Sequence, residues 1–423
     1  MHAMELFASR AMERFRCIGP ECEDSCCHDE WGITYDEAHF DKLAARMTSA
    51  GEQQELIAAF RLNRDKSDPS RHAIMVMKSD GKCSMLDSSG WCKIHQRYGE
   101  EYLSNICSSY PRVVGRLGER KELLGIISCP EVVRLTMLSE DGLQLVRSDA
   151  TPFGRGVPHR ELDPTDQYRR SFFQVRSLLG ALLRHDALPI ASRLFAVAFF
   201  AQQTRDVLRA DANGWRSEMV LGPLEALRSV ELLDKLHEQV ATIDVTVPFA
   251  LSVVRDLLTC KKDTVSPAFT ALVEDVKRVY QQAGVTLDAD TDDDALLATW
   301  RGLRPTLGAR VAARLETLVE RYAQDYVQRV WFVRQPSLLY YGFGLFVRLA
   351  TIRFVLLSHP LLQAHGGRDD DEMVKQLDDL FVRVVYSLSR TIDHDTDEID
   401  RILKLLEANH FDQLEHALCL IKL

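Results

Sequence analysis

The chain has no uninterrupted apolar run near the roughly 18 residues a membrane span needs. Its opening, "MHAMELFASRAMERF", shows no basic stretch followed by an apolar one. No membrane partner is expected, and the expected compartment is the cytoplasm. Excess positive charge is missing too: 52 Lys and Arg stand against 62 Asp and Glu, a formal net charge of −10. This balance argues against a broad nucleic-acid footprint and is compatible with a cationic partner, such as a lysine-bearing protein surface. A C-x-x-C redox motif is absent. So is C-x3-C-x2-C: Cys22 and Cys26 begin it, but position 29 is Asp.

Bulk is not lacking. With 423 residues, 46% hydrophobic and 27% charged, the composition is that of a globular protein of two or three folding units, large enough to need no disulfide rescue. Between Asp149 and Asp166 the chain runs "DATPFGRGVPHRELDPTD", where Pro152, Pro158 and Pro164 forbid a continuous helix or central strand. The expected domains are therefore 1–150 and 151–423.

Beyond that stretch, apolar residues recur at three- and four-residue spacing in "SFFQVRSLLGALLRHDALPIASRLFAVAFFAQQ", "LRPTLGARVAARLETLVERYAQDYVQRVWFV" and "MVKQLDDLFVRVVYSLSRTI". This period predicts a large all-helical domain. Before it, "TYDEAHFDKLAARM" and "GEQQELIAAFRLN" have helical patterns, while "HAIMVMK" and "ELLGIIS" are apolar runs of strand length. The fold class expected is mainly α, with a small, mixed, Cys-rich module at the start.

Cysteines are concentrated in that module. Cys17, Cys22, Cys26 and Cys27 form C-x4-C-x3-C-C, and Cys83, Cys92, Cys107 and Cys129 follow beside turn-forming glycines and prolines. Thiols clustered in a reducing compartment suit metal binding better than disulfides. Convergence from several loops is what a tetrahedral zinc or an iron-sulfur cluster requires, and spacing does not choose between them. Neighbouring side chains of an extended segment point apart, so Cys26 and Cys27 are not expected to bind one ion together. Eight thiols can fill one site or two. Cys260 and Cys419 stand alone in helix-like surroundings and read as buried apolar positions.

Together, the opening cysteines, "GKCSMLDSSGWCKIH", "CSSYPR" at 107–112 and "SCPEVVRL" at 128–135 resemble the flagellin lysine-N-methylase family, itself related to a wider group of clustered-cysteine, zinc- or iron-chelating proteins. Fainter similarity continues in "LPIASRLFAVAFF" and "SLSRTIDH". The resemblance implies a protein-lysine methyltransferase that uses S-adenosylmethionine, acts on flagellin, and carries a 4Fe-4S cluster on some of Cys17, Cys22, Cys26, Cys27, Cys83, Cys92, Cys107 and Cys129. The acidic insert "LDADTDDDALL" departs from that pattern.

Methyl transfer to an amine needs a neutral lysine, whose unperturbed pKa is about 10.4. Tyr110 and Glu131, each close to a cysteine, are candidates to orient that amine; packing and capping of the turn after Pro130 are the alternatives. An aromatic face suits the sulfonium of the donor, and Trp331, Tyr340 and Tyr341 are the candidates, core packing being the alternative. The Gly342-x-Gly344 pair is too little for a nucleotide loop, and the absence of a strand, glycine-rich turn and helix disfavours a doubly wound methyltransferase fold. Arg390 and His394 are one helical turn apart. The acidic run from Asp288 to Asp294 fails the calcium-loop pattern, with Asp293 at position six and Thr299 at position twelve, and reads as a solvated lead into a helix. Two other functions compete with the enzyme: a non-catalytic protein-binding module braced by structural zinc, and a redox sensor using Cys26 and Cys27.

Overall fold

The computed structural model describes residues 5–28, 32–65, 67–149, 159–162, 172–205, 217–243, 248–259, 266–394 and 396–423. The chain divides into two compact units: Met1–Leu135 with Gln144–Glu161, and Thr136–Leu143 with Leu162–Leu423. The boundary read between 150 and 151 falls outside the described residues, as does Cys260. Thr136–Leu143 belongs to the second unit because the long helix Ala309–Arg329 holds its carbonyls. Arg321 donates to Met137 O at 2.8 Å and Gln328 to Leu143 O at 3.1 Å.

The first unit is mixed. Its strands are β1 (Glu5–Ser9), β2 (Thr34–Tyr35), β3 (Phe60–Leu62), β4 (Ala73–Met75), β5 (Arg112–Leu117), β6 (Arg120–Gly125), β7 (Leu145–Arg147) and β8 (His159–Leu162). They form two sheets, ordered β7-β1-β6-β5-β8 and β2-β4-β3. β5 and β6 are a hairpin registered from Arg112↔Gly125 to Leu117↔Arg120, turning through Gly118 at φ +58. β1 then lies parallel to β6, with Glu5 opposite Arg120 and Ala8 opposite Leu123. Alternate residues Leu6 and Ala8 thus enter one core with Phe15, Val114 and Leu123.

The small sheet has its own core, built on Tyr35, Leu43, Leu56, Phe60 and Ala73. Two capped helices complete it. In Glu37–Arg46, Asp36 accepts the N–H of His39 at 2.9 Å; in Ala50–Ala59, Ser49 and Glu52 cap each other reciprocally, as the S-x-x-E sequence dictates.

Among the described residues, the second unit is helical in every element beyond Leu162. At its centre is Leu338–Ser358, which packs against Ile190–Gln203, Pro248–Thr259, Asp371–Ile392 and Leu414–Lys422. By length and average hydropathy this helix is apolar enough to cross a membrane, yet 94% of that window is buried inside the protein. A helix apolar all round is what a core position requires. The acidic insert is ordered around a cap: Asp292 accepts the N–H of Ala295 at 2.9 Å to start Asp293–Leu303, and Arg255 pairs with Asp293 at 2.6 Å.

Candidate metal centre

Four thiols gather on the small-sheet core. Cys83 is buried within it, and Cys27, Cys92 and Cys107 pack against the same core. The Cys83 N–H donates to the Cys27 carbonyl at 2.9 Å, fixing two loops together. Short bridges pair Met77 with Cys83 and Leu86 with Cys92, and Ser104 Oγ caps Cys107 N–H at 3.1 Å. Backbone N–H groups of Met85 and Leu86 point at the Cys83 sulfur, and those of His95 and Ile94 at Cys92. Burial pushes the Cys92 thiol up to about 11 and raises Cys107, with Cys27 and Cys83 adding to both. Beneath these thiols is fully buried Tyr35, whose hydroxyl donates to Tyr102 O at 3.2 Å.

A second set surrounds the other core. Cys129 is buried there beside Phe15, with Tyr110 packed on the same cluster. Its sulfur receives the N–H groups of Val132 and Glu131; burial raises the thiol to about 12, and Cys22 and Cys17 add to the effect. Gly19, at φ +56, makes the turn between Cys17 and Cys22, closed by Cys22 N–H to Gly19 O at 3.1 Å. Arg134 ties this loop to the segment after Cys129, pairing with both Glu23 and Glu131.

The two sets meet at Cys26 and Cys27. The sequence reading of this pair as extended and divergent is corrected by the structure: Cys26–His28 is a tight helical turn, and the Cys26 thiol hydrogen-bonds the Cys27 sulfur. That bond lowers Cys27 to about 7 and, with burial, raises Cys26, which also feels Cys107 and Cys129. None of the eight thiols is in a disulfide. Among the described residues, no three His, Cys, Asp or Glu side chains stand close enough to hold an ion as they are. Their chemistry nevertheless fits a thiolate-bound metal: sulfur donors alone, all but exposed Cys17 half-buried or buried, several already receiving backbone N–H groups that favour thiolate.

Tyr110 hydrogen-bonds Ser128, next to Cys129, at 3.1 Å. Glu131 Oε2 accepts from Arg134 at 3.2 Å. Both are thus positioned in the same unit as the thiols. The aromatic candidates lie in the other unit. Trp331 and Tyr341 are 3% and 2% exposed and pack on Phe172 and Tyr326, at 5.1 Å and 5.0 Å. Gly344 is explained by the same packing, since a Cβ there would lie 2.8 Å from the Tyr326 hydroxyl. Tyr340 alone among them is partly exposed; its hydroxyl donates to Asp400 at 2.8 Å, and its side chain lines a small pocket with Ser337, Glu407 and Asp412. Arg390 is buried over the Tyr386 ring, His394 is exposed, and Cys419 is buried within Leu414–Lys422.

Sequence reasoning missed Ser128, Ser104 and Tyr35, the groups that position the cysteine loops. The only signal was the S-x-x pattern ahead of Cys107, which marks a cap.

Fold and thiol set define a Cys-rich mixed unit joined to a helical unit. Residues 176–420 match the FliB lysine N-methylase C-terminal domain, and the chain belongs to that family. The match lies entirely on the helical unit. Among similar proteins are the "Lysine-N-methylase" of Salmonella typhimurium, 26% identical over 227 residues (53% of this chain, 52% of that protein), and that of Salmonella choleraesuis, 25% identical over 223 residues (53% and 51%). The "Flagellar biosynthetic protein FliU" of Salmonella muenchen is 29% identical over 132 residues, 31% of this chain and 76% of that protein. The chain thus spans about half the length of the lysine methylases it matches. No solved structure matches it.

Proposed function

We propose that the protein is a cytoplasmic lysine N-methyltransferase that uses S-adenosylmethionine to modify a flagellar protein, flagellin itself being the first substrate to test. The observation that carries this reading is the family match across the helical unit, supported by the names of the relatives, two lysine methylases and a flagellar biosynthetic protein.

Cys17, Cys22, Cys26, Cys27, Cys83, Cys92, Cys107 and Cys129 would supply the ligands of a 4Fe-4S cluster or zinc. When bound, such a group would supply a fixed centre of charge bracing the loops that carry Tyr110 and Glu131. The chain's own task is to hold a lysine in line with the sulfonium and to take up its proton. Of the two polar candidates, Glu131 accepts from Arg134 and Tyr110 hydrogen-bonds Ser128. One of them orients the amine, and single substitutions at each decide which. On the donor side, Tyr340 is the aromatic candidate with an exposed edge.

The test is incubation of anaerobically purified protein with flagellin and labelled S-adenosylmethionine, followed by mass spectrometry of lysine-containing peptides. Methyl increments on lysine support the proposal. Absence of transfer under conditions that preserve bound metal overturns it. Burial of Trp331 and Tyr341 is the observation that favours the second reading, a non-catalytic binding module braced by zinc; its signature is zinc content with no affinity for the donor.

A further inference from the structure

We propose that Asp36 and His39 form a catalytic dyad in the first unit: His39 Nε2 accepts the proton that a lysine ammonium must lose before methyl transfer, and Asp36 holds the ring for it. This deepens the methyltransferase reading above and rests on it.

Asp36 is the N-cap of helix Glu37–Arg46, and that role occupies only Oδ1, which accepts the His39 N–H at 2.9 Å. Oδ2 meets two other donors: His39 Nδ1 at 2.6 Å and Asn105 Nδ2 at 3.0 Å, the amide arriving from 69 residues along the chain. Capping alone leaves the second oxygen and the short imidazole contact unexplained. Burial raises the Asp36 carboxyl, but bonds from His39 and Asn105 more than offset it and hold it below the usual range. An ionised carboxylate only accepts, so in the neutral ring Nδ1 carries the proton and Nε2 the lone pair. Among the described residues nothing hydrogen-bonds Nε2. The His39 and Asp36 side chains are 19% and 23% exposed, shielded enough to keep one geometry and open enough to be reached. An imidazole fixed through its other nitrogen by a carboxylate is the arrangement that histidine general bases use.

Placement agrees with this role. Asn105, which steadies Asp36, opens helix Asn105–Ser109, and Tyr110, one of the two candidates to orient the amine, closes it by donating its N–H to Ile106 O at 3.0 Å. Dyad and Tyr110 thus sit at opposite ends of a helix about 7.5 Å long. Between them Ile106 is 41% exposed, an apolar surface for the methylenes of an incoming lysine. In the reaction the ammonium gives one proton to His39 Nε2, and the electron pair so freed forms the N–CH3 bond. The S–CH3 bond breaks with its pair left on sulfur, so the donor departs as a neutral thioether and the product is a methylammonium. The imidazolium then returns its proton to solvent.

The experiment measures methyl transfer from labelled S-adenosylmethionine to flagellin by the full chain, isolated anaerobically, as wild type, His39→Ala and Asp36→Asn. His39→Ala should lose about a hundredfold in kcat with KM and metal content unchanged, and added imidazole should restore part of it. Asp36→Asn is the sharper variant, because asparagine caps a helix as well as aspartate does. A purely structural role predicts full activity for it, whereas the dyad predicts a loss of about tenfold or more in kcat at an unchanged unfolding midpoint. Full kcat in either variant overturns the dyad while leaving the methyltransferase reading intact. A loss in His39→Ala that imidazole does not restore, with a lowered unfolding midpoint, also overturns it. No transfer by wild type overturns both readings together. If His39→Ala does not fold, Asp36→Asn decides.

Discussion

Arg348 and Asp393 meet inside the helical unit, with Nη2 2.8 Å and Nε 3.2 Å from the same carboxylate oxygen. Asp393 also accepts from Ser389 at 2.7 Å, and Arg329, paired with Asp325 at 2.8 Å, approaches it from the neighbouring helix. Burial pushes the Asp393 carboxyl up, but Arg348 and Arg329 more than offset that and hold it below the usual range. Removing one partner leaves an uncompensated buried charge, so Asp393→Ala should cost about 3–5 kcal/mol. Chemical unfolding followed by far-UV circular dichroism measures this directly.

The same pair has a pH signature. Because the folded pKa of Asp393 is depressed, its stabilisation is full above the unfolded value of about 3.9 and is lost as pH falls through the folded value. Asp325, raised chiefly by burial, acts in the opposite sense, gaining stability as acid protonates it. Comparing wild type with Asp393→Asn isolates the first effect. The gap between their unfolding midpoints should be constant above about pH 5 and shrink below it; a gap that widens in acid contradicts the assignment.

Gly19→Ala should destabilise the first unit. At φ +56 the new Cβ is strained by about 1–2 kcal/mol, and it would also displace the Trp91 ring. Expected are a lower unfolding midpoint for this unit and altered tryptophan emission. Unchanged values for both would show that the turn and the ring do not meet.

Asp292→Ala removes a helix cap and should cost about 1 kcal/mol. Calcium should not change the unfolding midpoint of wild type, because Asp292 and Asp293 are used in capping and in pairing with Arg255. A calcium-dependent rise would reassign the acidic insert as a binding loop.

Tyr110→Phe, if Tyr110 orients the amine, should lower methyl transfer about tenfold, equivalent to roughly 1.4 kcal/mol in the barrier, while leaving thermal stability nearly intact. Glu131→Gln should cost only about 0.2–1 kcal/mol of stability through its half-buried pair with Arg134 and leave transfer largely unchanged. The reverse pattern would exchange the two roles.

The helical unit was legible because a 3.6-residue period survives in "MVKQLDDLFVRVVYSLSRTI" whatever the neighbours are. The helix Asp371–Ile392 confirms it. The strand runs in "HAIMVMK" and "ELLGIIS" were equally visible, becoming β4 and part of β6. β1 was not: "ELFAS" is too short to show a period, and only its pairing with β6 and β7 makes it a strand. Nor could the pattern separate packing from binding at Trp331 and Tyr341, since both uses call for the same residues. The Cys26–Cys27 geometry was misread for a related reason, because adjacency in sequence says nothing of the local backbone until the turn is seen. The Arg348–Asp393 pair unites distant helices and leaves no local trace at all.

The parallel pairing of β1 with β6 imposes an order in time. As the chain leaves the ribosome at about 5–20 residues per second, the segment carrying Cys17, Cys22, Cys26 and Cys27 emerges long before β6, which anchors β1, and before Cys83, Cys92, Cys107 and Cys129. For several seconds its thiols have no sheet to sit on and no companions from later loops. During that interval they are open to oxygen and to stray metals, so a nascent chain is at its most vulnerable before it is half made, and growth conditions at synthesis should govern how much of the protein matures correctly.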